Sequence, residues 1–284
     1  MLGFAAFVAG SFTIGALAAP HIEPAAINAA RFLFGTLVMA CAAALIVRGG
    51  IQAPRAIWRY GVLGALMALF FITMFVALRL TDPVSAAAVF TLMPLMSAFF
   101  GWLFLGQVPR IVVLVSLVLA ATGAVWMIFR GDLAALLAFD VGPGEAIFFV
   151  GCIGHAAYAP LVRKFNRGEP VMIFTLWSLA GTGLAIALWG VRDIAATDWT
   201  ALPPVVWIAI AYLATFTTAG TTFLVQFASM RLPASKVLAY AYLNPCFVIL
   251  YEGVAGHGWT SPWVAIGALV TIVALLVMAL GPDR

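Results

Sequence analysis

Ten stretches of about twenty apolar residues run through this chain of 284 residues, each long enough as a helix to cross a bilayer. They lie near 2–19, 27–47, 60–79, 84–105 and 111–129. After a polar break at 130–144 they resume near 145–162, 171–190, 205–229, 236–255 and 262–281. A backbone inside hydrocarbon must satisfy its own hydrogen bonds, so spans of this length are helices. Composition agrees: 65% of the residues are apolar and 8% charged, where a soluble domain has about half and a quarter. The expected fold is an all-α integral membrane protein of ten transmembrane helices, with links too short to hold a soluble domain. The first stretch ends in Ala16–Leu17–Ala18, which resembles a signal-peptide cleavage site. No Lys or Arg precedes it, however, the first being Arg31, so the stretch counts as a span.

Positive charge sets the orientation, because cytoplasmic ends of spans carry an excess of Lys and Arg. With the N-terminus inside, Arg48, Arg55, Arg59, Arg110, Arg163, Lys164, Arg167, Arg231, Lys236 and Arg284 fall inside, ten in all. Arg31, Arg79, Arg130 and Arg192 fall outside, four against ten, so both termini are expected in the cytoplasm, at a cell inner membrane.

Several function classes are excluded on the same reading. The net charge is only +4 and the basic residues are scattered, so no nucleic-acid groove is expected. Cys41, Cys152 and Cys246 sit in apolar runs and form neither a disulfide framework nor a zinc cluster. The three histidines are far apart, and neither metal nor cofactor is expected. No two acidic residues lie within three positions of each other, and no serine motif accompanies His155, so an intramembrane enzyme is not expected. The expected partners are a small-molecule substrate and membrane lipid; oligomeric state is not legible.

The chain also repeats itself. Glu23–Pro24 recurs as Glu169–Pro170, a shift of 146, and Pro94 recurs as Pro245, a shift of 151. Ala77–Leu78–Arg79–Leu80 before the first proline matches Ser229–Met230–Arg231–Leu232 before the second. Units at 1–130 and 145–284 each hold five spans, and an odd number forces the second unit to enter from the opposite side. Inverted repeats of this kind go with alternating access around a midplane site, which a non-transporting receptor or scaffold would not need.

These features resemble the EamA-type drug/metabolite transporters, over nearly the whole chain and once per half. The resemblance rests on Gly10–Ser11–Phe12 in the first span, on Pro24 with Arg31 seven residues on, and on Ala77–Leu78 through to Pro94. Leu105–Gly106 and the Gly123 helix complete it. The family commonly has Glu after that Leu–Gly; here Gln107 stands there, and the second half has Gly256–His257–Gly258, so no role of that acid carries over. Among members the chain is most similar to the amino-acid exporters, and the motif implies that Phe12 borders the substrate.

Polar side chains are costly in lipid and point inward, so polar stripes mark the candidate site. At about 100° per residue, Lys236, Tyr240, Asn244, Phe247 and Tyr251 share one face of the ninth span, within an arc of about 80°. That face either lines a cavity or forms a helix seam with Lys236 snorkelling to the interface. Thr215, Thr218, Thr222, Gln226 and Ser229 share a face of the eighth span; the threonines suit packing as well as a cavity, while the Gln226 amide needs a partner. His155 and Tyr158 lie one turn apart on the sixth span, with Glu145 at its outer end. His155, Glu145 and Glu252 are the titratable candidates for proton coupling. Arg31 is expected in a structural role, against Glu23 or a helix C-terminus.

Carried back by 151 residues, the ninth-span stripe lands on Ser85, Val89, Met93, Met96 and Phe100, and the eighth-span stripe on Gly64, Met67, Phe71, Phe75 and Leu78. One wall is then polar and the other rich in Met and Phe, including Phe75 and Met93; methionine surfaces suit broad apolar recognition. The expected function is export of small amphipathic metabolites, foremost amino acids with apolar or aromatic side chains. Nucleotide sugars, other metabolites or cationic drugs are the alternative cargo.

Overall fold

The computed structural model describes residues 2–138, 141–233, 237 and 239–280. Lys236 lies outside the described residues. Every regular element among those described is helical. In chain order these are α1 (Leu2–Ala18), a 3-10 turn (Ala19–His21), α2 (Pro24–Ile46), α3 (Trp58–Ala77), α4 (Pro83–Phe90), α5 (Met93–Leu105), α6 (Ile111–Ile128) and α7 (Leu133–Ala138). Then come α8 (Pro143–Phe165), α9 (Val171–Trp189), α10 (Val191–Ala196), α11 (Pro204–Tyr212), a π-helical segment (Leu213–Gly220) and α12 (Thr221–Ser229). A 3-10 turn (Ala239–Leu243), α13 (Asn244–Val254) and α14 (Pro262–Leu280) close the chain. Among the described residues eight helices, broken ones taken whole, are long and apolar enough to cross a membrane, and they coincide with the first eight expected spans.

Proline starts many of these helices. Pro24, Pro83, Pro143, Pro204 and Pro262 each stand at a first helical position, where the missing N–H is not needed and the fixed φ suits the helix. At α4 the Asp82 carboxylate adds a cap, accepting from the Ser85 backbone N–H at 2.9 Å and its hydroxyl at 2.8 Å. Gly106 ends α5 in the left-handed region, φ 64°, where a side chain would be strained.

The fourth span is broken. α4 stops at Phe90 and α5 restarts at Met93, with Pro94 in its first turn; the ninth span likewise passes from a 3-10 turn into α13, with Pro245 in its first turn. The sequence reads each place as one continuous span, 84–105 and 236–255. Instead each proline opens a new helix, because its ring blocks the carbonyl of the preceding turn but fits a helix start.

Small residues decide which helices cross closely. A Cβ on Gly64 of α3 would fall 2.4 Å from the backbone of Gly181 on α9, and one on Gly181 would fall 2.5 Å from the Tyr60 carbonyl. α6 and α14 cross through Gly123 and Gly267, each of whose missing Cβ would sit 2.6 Å from the other's carbonyl oxygen. In lipid such close backbone contact is the main attraction between helices. Burial is greatest along α8, at 67% of its most apolar window, and α3, at 61%, which places these two at the centre of the bundle.

Candidate functional site

Between α1, α2, α3, α4, α8 and the 204–229 span lies a cavity whose walls come from the middle of the helices: Met67 of α3, His155 of α8 and Thr217 of the π segment. Its volume is about 30 Å³, room for water and not for a metabolite.

Part of the lining is polar: Tyr158 and three threonines, Thr217, Thr221 and Thr222, with Gln226 behind. The Gln226 amide, fully buried, donates to the Tyr158 hydroxyl at 2.6 Å and accepts from the Thr175 hydroxyl at 2.6 Å. This chain joins α8, α12 and α9 and satisfies a group that would be costly unpaired in hydrocarbon. The rest of the lining is mostly apolar, with Met67, Met74, Phe4, Phe12, Phe70, Phe71 and Phe90. Phe12 meets Phe90 edge-on at 5.7 Å, and Phe70 meets Phe71 edge-on at 4.9 Å, so the apolar lining is interlocked. His155 is part of the same lining, edge-on to Phe70 at 4.5 Å, and its Nδ1 has no hydrogen-bond partner among the described residues.

Arg31 enters the same cavity from α2 and is fully buried. Its Nε donates to the Thr218 hydroxyl at 2.9 Å and its Nη2 to the Thr217 hydroxyl at 2.8 Å. Its guanidinium lies over the Phe71 ring at 4.3 Å, and its Nη1 has no partner among the described residues. The sequence expectation of Glu23 or a helix end as its partner is corrected here: Glu23 pairs with Arg79 at 3.1 Å. A charge within a span costs up to about 2.5–3.5 kcal/mol by insertion scales, which two neutral hydroxyls and a ring face offset only in part.

The π segment makes this arrangement. Its i→i+5 bonding takes up more residues per turn than an α-helix, so the register slips. Thr215, expected inward at 100° per residue, is exposed, while Thr217 and Thr218 turn toward Arg31. Gly35, one turn beyond Arg31, lets α2 come this near: a Cβ there would lie 2.8 Å from the Thr218 methyl.

Of the residues singled out in the sequence, Phe12, His155, Tyr158 and Thr222 line the cavity, and Gln226 stands directly behind it. Phe75 and Met93 are fully buried in the core but off the cavity, where Met67, Met74, Phe70 and Phe71 take their place. Tyr240, Asn244 and Tyr251 are also off it. Tyr240 is half-buried, Tyr251 donates to the Ala6 carbonyl at 3.3 Å, and Asn244 is fully buried with neither amide atom hydrogen-bonded among the described residues. Glu145 accepts from Thr81, and Glu252 pairs with His257 at 2.8 Å; neither acid lines the cavity. Sequence reasoning missed Thr217 and Thr221, which fall off the α-helical stripe because of the π segment, and the inward placement of Arg31, which depends on contacts between helices.

The sequence pattern of the EamA-like transporter family matches residues 1–129 and again residues 142–280. YyaM of Bacillus subtilis (strain 168), described as an uncharacterized transporter, is 25% identical over 283 residues, covering 97% of this chain and 91% of that one. A solved crystal structure, of a molecule called only "protein", superposes with a TM-score of 0.75 at 20% identity over 98% of this chain and 95% of the other, a likeness of fold. With both halves matched and the apolar helices in place, the chain belongs to the EamA-like transporter family, as a multi-pass membrane protein.

Proposed function

We propose that the protein exports small amphipathic metabolites, foremost amino acids with apolar or aromatic side chains. The observation that carries this reading is the mixed lining of the cavity, with Tyr158, the threonines and Arg31 beside Met67, Met74 and the phenylalanines. A charged or polar head and an apolar side chain each find a matching surface there. Cationic drugs fit less well, since Arg31 supplies a positive charge and none of the described lining residues is acidic.

The mechanism proposed is alternating access by ten spans in two inverted units, 1–130 and 145–284, with both termini cytoplasmic. Three findings support it: the family pattern falling once in each half, the helix restarts at Pro94 and Pro245, and the reciprocal crossing of Gly123 and Gly267. Rocking the units about such crossings would open the cavity to either side. Asn244, buried with its amide unpaired among the described residues, then has a reason to be where it is: with Tyr240 and Tyr251 it joins the polar lining once the cavity widens. Lys236 is proposed to extend that stripe.

Counterflow of labelled leucine in proteoliposomes, with and without a pH gradient, tests the reading. Competition by methionine, leucine and phenylalanine is expected. Strong competition by sugars or nucleotide sugars, with none by these amino acids, would overturn it.

A further inference from the structure

We infer that Arg31 is the anchor for a carboxylate, and that the carboxylate, not the ammonium, is the group the cargo must carry. The inference rests on the proposed site but narrows its chemistry. Arg31 is fully buried between the spans, two turns into α2, and its partners are the neutral hydroxyls of Thr217 and Thr218. Those two bonds use Nε and Nη2, and they fix the plane of the guanidinium against the Phe71 ring at 4.3 Å. Nη1 is left without a partner among the described residues, on a side chain that lines the cavity. An arginine held this rigidly, with donors still free, matches an anionic oxygen placed in the cavity, and a planar fork favours a carboxylate.

The charge balance points the same way. None of the described residues lining the cavity is acidic, so Arg31 makes its interior net positive when His155 is neutral. An ion pair is far stronger in such a low-dielectric place than in water, and the first group to gain from it is an anion. An ammonium finds no carboxylate there, only hydroxyls, the imidazole and the faces of Phe70 and Phe90. Cation–π contact of that kind tolerates an ammonium without requiring one.

The test measures ligand-induced thermal stabilisation of the full-length protein in detergent. The probes are leucine, phenylalanine, phenylalaninamide and 3-phenylpropanoate, which lacks the amine. Phenylalanine and 3-phenylpropanoate are expected to stabilise the protein at similar concentrations, and phenylalaninamide to need at least about tenfold more, the least that losing one charge-assisted bond implies. Arg31→Gln should abolish the response to both acids, and Arg31→Lys should weaken it. Stabilisation by phenylalaninamide equal to that by phenylalanine would overturn the inference, as would full response of Arg31→Gln, or no response of the wild type to any probe. If Arg31→Gln fails to fold, the acid–amide comparison on the wild type decides alone. A response to 3-phenylpropanoate that depends on Arg31, with none to leucine or phenylalanine, would support the anchor while removing the amino-acid reading.

Discussion

Arg59 holds Glu169 as Arg79 holds Glu23. Arg79 donates to the Ala19 carbonyl at 2.9 Å and to the Glu23 carboxylate at 3.1 Å; Arg59 donates to the Phe165 carbonyl and to the Glu169 carboxylate, the latter at 2.6 Å. Both acceptors are displaced by the same 146 residues. The arginines are not equivalent, however. Arg231, which matches Arg79 in the repeat, lies instead over the Phe227 ring at 3.6 Å, and Arg59 of the first half takes its place. One acceptor pair is thus closed within the first half and the other across the two halves.

Burial raises the Glu169 carboxyl, but the Arg59 hydrogen bond, the Arg167 backbone N–H and the Arg59 charge lower it more, leaving it below its ordinary value of 4.5. A carboxylate depressed in the folded state stabilises above its unfolded value, and that contribution is lost as pH falls through the folded value. Glu169→Gln should therefore lower the melting temperature at pH 7, by about 1–3 kcal/mol in stability, less than for a fully buried pair. The gap to wild type should close as the pH is taken below 4.5. Melting curves of both proteins between pH 7 and about pH 3 check this.

Gly64→Val tests the α3–α9 crossing. The new Cβ would meet the Gly181 carbonyl carbon at 2.4 Å and the Thr182 nitrogen at 2.8 Å, and backbone cannot swing aside. A loss of about 1–3 kcal/mol or more is expected, against almost none for Gly61→Val, whose Cβ has no neighbour within 4 Å. Detergent melting temperatures separate the two.

Gln226→Leu removes the link between Thr175 and Tyr158. The tyrosine hydroxyl then loses its donor, at about 1–3 kcal/mol. Reduced transport with a lower melting temperature is expected, and Thr175→Val should show the milder form of the same change.

The π segment makes a prediction that an ideal α-helix would reverse. Thr215→Val should leave transport unchanged, since that side chain is exposed, while Thr217→Val should lower it about tenfold through the lost bond to Arg31. Initial rates of counterflow at matched protein density read the difference.

Single cysteines at Asn166 and Thr197 should react with an impermeant thiol reagent from opposite sides of the membrane, Asn166 from the cytoplasm. Labelling from the same side would remove the inverted arrangement.

What the sequence determined by itself was local. Apolar runs the length of a bilayer mean helices wherever they occur, because hydrocarbon offers the backbone no other partner. The first eight spans were legible for that reason, and the stacked positions of His155, Tyr158, Thr222 and Gln226 because polar side chains turn away from lipid. What lay beyond it depended on contacts between helices. Thr217 replaces Thr215 on the inner face because a π turn breaks the period on which stripe reading depends. Phe75 and Met93 pack in the core, and which faces of their helices meet the cavity is set by how the helices pack together. Arg31 lies 186 and 187 positions from the threonines that hold it, and only the close approach of α2 at Gly35 brings them together. No local pattern encodes a partner at that distance; it is fixed when the helices pack.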